Sequence, residues 1–200
     1  SAFICIVSLI FAVYILYSNP KNLIHRLVFL LMLMIACWDF LFIIVLTAEN
    51  KDNFIFYFKI ASFVILIGPL ILHIIMLIVK LNRKIMIPVL SIFYVEYIIF
   101  IYNNLNLNLI YKDFIKINGY WHFIRCDISF ISVLYLFTAL LIIFISLLLL
   151  INWYRKTTIT KEKKQALVLL SFMGLFFFLL FTDYFIYRFF SNKDFGLTAN

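Results

Sequence analysis

Charged residues, glycine and cysteine are all scarce in this 200-residue chain. Only 13% of the residues are charged, and there are four glycines and three cysteines, whereas 66% of the residues are hydrophobic and 20% are aromatic. A soluble domain of this length does not need so much apolar surface. The composition therefore excludes a soluble globular domain and predicts a polytopic helical membrane protein.

Recognisable catalytic motifs are also missing. The chain contains no glycine-rich phosphate loop, no HExxH sequence and no serine in the setting of a nucleophile elbow. Cys5, Cys37 and Cys126 have no paired spacing, and the three histidines are scattered along the chain. We therefore predict buried free thiols, no metal site, no cofactor and no catalytic residue in this fragment.

Long apolar runs make up most of the sequence. A helix of about 20 apolar residues crosses the bilayer core. The first run is already apolar at Ala2, so we interpret the chain as a piece of a longer protein. The sequence predicts an all-α fold, a single transmembrane bundle with six spans. These spans are 2–17, 27–47, 54–79, 85–102, 128–151 and 165–190.

The longest connection between two predicted spans is 103–122. Residues 104–109 alternate between polar and apolar side chains. A period of two is typical of a half-buried β-strand. We therefore predict a short extracellular strand or hairpin within 103–122.

The third span is interrupted by a Gly-Pro pair, Gly68-Pro69. Because proline has no amide hydrogen, the carbonyl group of Ile65 loses its usual partner and the helix is expected to bend. In lipid such a group is tolerated only inside a bundle, so we expect His73, one turn later, to face protein. A kinked packing helix explains this pattern. The functional alternative is a moving hinge formed by Gly68, Pro69 and His73.

Lysine and arginine are divided unevenly between the two sides of the predicted bundle. Of the 17 basic residues, ten lie in or beside the first, third and fifth loops. The positive-inside rule then places loops 18–26, 80–84 and 152–164 in the cytoplasm and the amino terminus outside. Since these residues occupy short loops and not a continuous stripe, we expect a lipid bilayer, and no nucleic acid, as the partner.

Several ionisable residues fall inside the predicted spans, mostly in the outer half. A charge at the bilayer centre costs about 2.5–3.5 kcal/mol, so these groups should pair or face a watery cleft. The functional interpretation is an outer pocket for a small amphipathic or cationic ligand. The alternative is a set of buried pairs and interface residues that fix the helix register. The candidate ligand-binding residues are Trp38, Asp39, Lys59, Glu96, Trp121, Arg125, Asp183 and Tyr187.

Four short motifs occur in order along the chain. They are Asn19-Pro20-Lys21-Asn22 with Arg26 and the later Trp38, Gly68-Pro69 with Leu72-His73, Lys163-Lys164-Gln165-Ala166-Leu167, and Gly196-Leu197-Thr198. Together they resemble the seven-helix amino-terminal sensor region of bacterial and archaeal membrane histidine kinases, here without its seventh span. Asp39, Glu96 and Asp183 match no shared motif of that family, so a ligand role for them is inferred from the residues alone.

The resemblance implies a sensory input domain of the cytoplasmic membrane. Its parent would be a two-component histidine kinase that forms a homodimer through a missing cytoplasmic module. The same region also precedes diguanylate cyclase or phosphatase modules, so the output stays open. We expect an unidentified small ligand or the membrane state to be sensed at the outer half. The alternative is a small transporter-like bundle, although the chain has no internal repeat and only one broken helix.

Overall fold

A computed structural model describes residues 2–107, 111–117, 120–125, 130–171 and 173–175. Within these residues the regular secondary structure is helical apart from one pair of strands. Residues 160–171 and 173–175 are also helical. The other elements are α1 (Ala2–Ser18), α2 (Leu23–Thr47), α3 (Lys51–Ala61), a 3₁₀ segment (Ser62–Leu66), α4 (Ile67–Ile78), α5 (Arg83–Leu107), β1 (Tyr111–Ile117), β2 (Tyr120–Arg125) and α6 (Phe130–Lys156).

Four helical stretches are long and apolar enough to cross a membrane. They are Leu23–Val45, Lys51–Ile78, Arg83–Leu105 and Val133–Lys156, with a shorter apolar helix at Cys5–Ser18. The predicted all-α transmembrane bundle is therefore confirmed. Most of the predicted sixth span, 165–190, lies outside the described residues.

Asparagine side chains begin three of the helices. The Oδ1 atoms of Asn22, Asn50 and Asn82 each accept a hydrogen bond of 2.9 Å from a backbone amide two or three residues later. An amide at a helix start has no partner inside the helix, so such a cap stabilises the first turn. These caps fix where α2, α3 and α5 begin.

The end of α4 is closed by a Schellman turn. The amide of Leu81 bonds to the carbonyl oxygen of Met76 at 3.0 Å, and the amide of Lys80 bonds to that of Leu77 at 3.1 Å. Such a turn requires a left-handed residue, and Lys80 takes this place with φ of 54°. Glycine is the usual residue there because it has no Cβ atom to clash.

Substituting Lys80→Gly is expected to stabilise the bundle by about 1 kcal/mol, because glycine removes the steric cost of the left-handed backbone. The unfolding free energy can be measured by SDS titration in mixed micelles. Lys80→Ala is the control, since alanine removes the charge and retains a Cβ atom. An equal gain from both substitutions would assign the effect to charge.

Helix α5 buries one narrow stripe. Along this stripe buried residues recur alternately at three and four positions, at Met86, Leu90, Phe93, Tyr97, Phe100 and Asn104, and Ile101 beside it is also buried. This spacing is that of a helix that packs closely against neighbours. The stripe lies against α4 and the 3₁₀ segment. Ile92, Val95 and Ile98 lie outside it and are more than half exposed, as expected of lipid-facing residues.

The two strands form an antiparallel hairpin. Phe114 is opposite Phe123 and Lys116 is opposite Trp121. The strands begin later than the alternating stretch 104–109 that led us to predict them, because α5 continues to Leu107. Asn104 occupies the next position of the α5 stripe, so packing keeps this stretch helical.

Contacts between Cα atoms divide the chain into two compact units, Ser1–Ile142 and Ile143–Asn200. In the first unit α1 packs on α2, α2 packs on α3 and α4, and α5 packs on α4. Ser8 and Ala12, four residues apart on α1, are buried. Small residues at this spacing let two membrane helices approach closely.

Candidate functional site

The regular α-helix of the third span is interrupted just before its proline. Between α3 and α4 lies the 3₁₀ segment, where the amide of Ile67 bonds to the carbonyl oxygen of Val64, three residues back. Pro69 is then the third residue of α4. The first four amides of a helix have no partner inside it, so the missing proline amide leaves no bond unmade. The 3₁₀ segment therefore accommodates Pro69.

One end of the 3₁₀ segment is tied to α5 by a buried side-chain pair. The Nδ2 group of Asn104 donates a hydrogen bond to Ser62 Oγ. Ser62 in turn donates to the carbonyl oxygen of Phe58 at 3.5 Å. Asn104 and Ser62 are 8% and 6% exposed. Polar side chains buried between membrane helices hold those helices together.

Substituting Ser62→Ala is expected to destabilise the bundle by about 1 kcal/mol, because it leaves the buried Asn104 amide without this partner. The double variant Ser62→Ala/Asn104→Leu should lose less than the sum of the two single variants. SDS titration of all four proteins gives the coupling energy. Strictly additive losses would show that the hydrogen bond does not contribute.

Beyond the 3₁₀ segment, Gly68 of α4 lies against Tyr97 of α5. A Cβ atom added at Gly68 would be 3.2 Å from Tyr97 Oη and 3.5 Å from Cε1. Tyr97 is 2% exposed and is among the largest fully buried side chains. The absence of a side chain at Gly68 thus lets the Tyr97 ring reach the backbone of α4.

A second contact joins α4 and α5 one turn further along α4. His73 Nδ1 and Tyr94 Oη share a hydrogen bond of 3.4 Å, and the two rings meet edge to face with centroids 6.1 Å apart. His73 therefore faces protein, as its position after Gly68-Pro69 led us to expect. The break in the third span is tied to α5 on both sides.

The side chain of Glu96 connects α5 to α6. Thr138 donates a hydrogen bond of 2.5 Å from Oγ1 to Glu96 Oε1 and also contacts the carbonyl oxygen of Leu134 at 2.9 Å. Beside this pair, the Tyr135 ring lies 5.8 Å from Tyr97 and 5.3 Å from Phe100, measured between centroids. Glu96 and the contacts of the third span thus lie on consecutive turns of α5.

Asp39 and Lys59 lie at the same depth on two packed helices. Asp39 is eight residues before the end of α2 at Thr47, and Lys59 is eight residues after the start of α3 at Lys51. Both are therefore about 12 Å from the loop that joins the helices. Both side chains are half-buried. Among the residues that the structure describes, no ion pair joins them.

Trp38 and the hairpin residues lie in different places. The Trp38 ring stacks on Phe42, with centroids 6.1 Å apart. Trp121 is opposite Lys116 in the hairpin, and Arg125 is opposite Tyr111. Lys116 Nζ donates to the carbonyl oxygen of Glu49 at 3.4 Å, which places the hairpin beside the loop between α2 and α3. The last two candidates, Asp183 and Tyr187, lie outside the described residues.

Comparison with known protein families identifies the family of this chain. The model of the N-terminal 7TM region of histidine kinase matches residues 1–198. The chain belongs to that family. No curated protein and no solved structure matches it. The prediction made from the four motifs is confirmed, and the chain is a membrane sensory region of the histidine kinase type.

Two of those motifs have a visible structural role in this sensor region. The first forms the turn between α1 and α2, where Arg26 Nε donates to the carbonyl oxygen of Pro20 at 2.6 Å and Asn22 caps α2. The second, Gly68-Pro69 with Leu72-His73, is the tied break in the third span. The sequence motifs therefore mark places where the backbone departs from regular helix.

Three residues of the sensor region were not among the sequence candidates, and they are Ser62, Asn104 and Thr138. Asn104 follows Tyr97 by seven residues, so its place on the α5 stripe was a usable signal. Ser62 and Thr138 carry only the general signal that small polar residues inside a span bond across helices.

Proposed function

We propose that this region is the signal-input domain of a membrane histidine kinase and that it responds to a small amphipathic or cationic ligand, or to the membrane state, at its outer half. Family membership supports the sensory role. The position of the ligand site is supported by the half-buried Asp39 and Lys59, which lie at equal depth on α2 and α3. Charged groups inside a membrane mark functional sites by default.

The observation that carries the proposal is the tied break in the third span. The Ser62–Asn104 pair holds one side of the 3₁₀ segment, and the contacts of Gly68 with Tyr97 and of His73 with Tyr94 hold the other. A ligand between α2 and α3 changes the conformation of this segment only if it binds two arrangements with different affinity. Gly68, Pro69 and His73 are then the hinge.

The same proposal includes a topology and a partner. The excess of lysine and arginine in loops 18–26, 80–84 and 152–164 supports a cytoplasmic position for these loops, with the amino terminus outside the cytoplasmic membrane. The signal then passes to a kinase module that forms a homodimer on the cytoplasmic side.

The test is thermal stability of the purified region against a panel of lipids, amines, peptides and quinones. A ligand at about a hundred times its dissociation constant adds roughly 2.7 kcal/mol of stability. We expect one class of compound to stabilise the wild type and not Asp39→Asn. Glu49→Gln is the matched control, since Glu49 is exposed in the loop after α2.

Two results would contradict the pocket. One is that no compound stabilises the wild type. The other is that Asp39→Asn and Glu49→Gln respond like the wild type. In either case the embedded charges would have a structural role.

A further inference from the structure

The last two residues of α6 and the eight that follow concentrate positive charge. Of the 17 basic residues in the chain, five lie within 155–164, and this segment contains one acidic residue, Glu162. We call residues 155–164 the basic linker. Its exposed cationic residues are Arg155, Lys156, Lys161, Lys163 and Lys164.

The acidic residue of the basic linker, Glu162, accepts a hydrogen bond from another linker residue. The hydroxyl group of Thr157 donates a hydrogen bond of 2.7 Å to Glu162 Oε2, and Thr157 is only 8% exposed. The Thr157 amide bonds to the carbonyl oxygen of Trp153 at 2.9 Å, and that of Lys163 bonds to Ile159 at 3.0 Å. We call the Thr157–Glu162 hydrogen bond the clasp, and it joins the residue after α6 to the start of the next helix.

The position of the basic linker at the end of a span indicates that it lies beside the surface of the membrane. Lys156 is the last residue of a span, so the cations begin where the apolar part of the membrane ends. Ile159, between the two groups of cations, is 56% exposed. An exposed apolar side chain with cations on both sides of it in the sequence suits the boundary between headgroups and acyl chains.

We propose that the basic linker binds the phosphate groups of anionic phospholipids, in the leaflet at which it lies. The hydrogen bond from Thr157 gives the Glu162 carboxylate a partner within the linker, so this acidic residue competes less with lipid phosphates for the five cations. The anionic lipid content of the membrane thereby acts on the end of α6 as an input separate from any ligand at the outer half.

The test uses tryptophan fluorescence in lipid nanodiscs. Trp38→Phe and Trp121→Phe leave Trp153, two residues before the linker, as the only tryptophan. Its quenching by brominated anionic lipid is compared with its quenching by brominated zwitterionic lipid. We expect a preference of roughly tenfold for the anionic lipid, which falls as the salt concentration rises.

Two triple variants separate a local site from general attraction between charges. Lys161→Gln/Lys163→Gln/Lys164→Gln is expected to reduce the preference to about twofold. Lys80→Gln/Arg83→Gln/Lys84→Gln removes the same charge from the turn before α5 and from its first two residues, and it should retain the tenfold preference. No preference in the wild type, or equal losses in the two triple variants, would overturn the proposal.

The clasp is tested separately, with changes that leave every cation in place. Thr157→Val removes this hydrogen bond to Glu162 and is expected to weaken the preference about threefold, whereas Glu162→Gln should maintain or raise it. Glu162→Gln also guards against misfolding, since glutamine can still accept the bond from Thr157. A loss of preference in Glu162→Gln, or none in Thr157→Val, would show that the clasp does not shape the site.

Discussion

Substituting Tyr97→Ala is expected to lower the free energy of unfolding by about 3 kcal/mol, the largest single loss in the described part of the chain. The side chain is 2% exposed and fills the space between α4, α5 and α6, where it meets Gly68 and Tyr135. In lipid the loss comes mainly from lost packing contacts, because exclusion of water contributes little between membrane helices. SDS titration in mixed micelles measures it.

The matched control for Tyr97→Ala is Ile98→Ala. Ile98 is the next residue on the same helix and is 58% exposed. Its truncation changes the lipid-facing surface and leaves no cavity, so we expect a loss of less than about 1 kcal/mol. Equal losses at the two positions would show that Tyr97 does not pack as the structure has it.

Substituting Gly68→Leu is expected to destabilise the bundle by about 1–3 kcal/mol, because it overfills the contact between α4 and α5. Even a single Cβ atom at Gly68 would lie 3.2 Å from the hydroxyl oxygen of Tyr97, so a leucine side chain has no room unless α4 and α5 separate. At Gly174 an added Cβ atom has no heavy atom within 4 Å. Gly174→Leu is therefore the control and should be nearly neutral.

A compensating variant makes the Gly68 prediction specific. Tyr97→Ala removes the ring that the leucine would strike, so the double variant Gly68→Leu/Tyr97→Ala should lose less than the sum of its parts. A double-mutant cycle gives the coupling energy. Additive losses would mean that Gly68 is required by the backbone and not by the approach of Tyr97.

The helices could be predicted because length and apolar content determine them. The third and fourth spans were predicted at 54–79 and 85–102, and the corresponding stretches are Lys51–Ile78 and Arg83–Leu105. Both begin earlier than predicted, since Asn50 and Asn82 cap these helices a few residues before the apolar run. The first turn of each of these helices is polar, so a prediction from hydrophobic runs places the start of the helix too late.

The pairings between helices could not be predicted. Ser62 and Asn104 are 42 residues apart, as are Glu96 and Thr138. Which side chains meet depends on how each helix is rotated about its axis, and hydrophobic runs that are apolar on all sides do not specify that rotation. For this reason the sequence suggested Glu96 as a site residue without indicating Thr138 as its partner. The outer pocket with Asp183 and Tyr187 stays a prediction.

The length of the 3₁₀ segment Ser62–Leu66 sets the size of the movement that the proposed hinge would make. A 3₁₀ helix has about three residues per turn and rises about 2.0 Å per residue, whereas an α-helix has 3.6 and rises 1.5 Å. Conversion of this segment to α-helix would therefore shorten the span by about 2.5 Å and rotate α4 by about 100° relative to α3. A rotation of that size would carry the His73 ring away from Tyr94, so in the proposed hinge a shortening of the third span and a rotation of α4 would occur together.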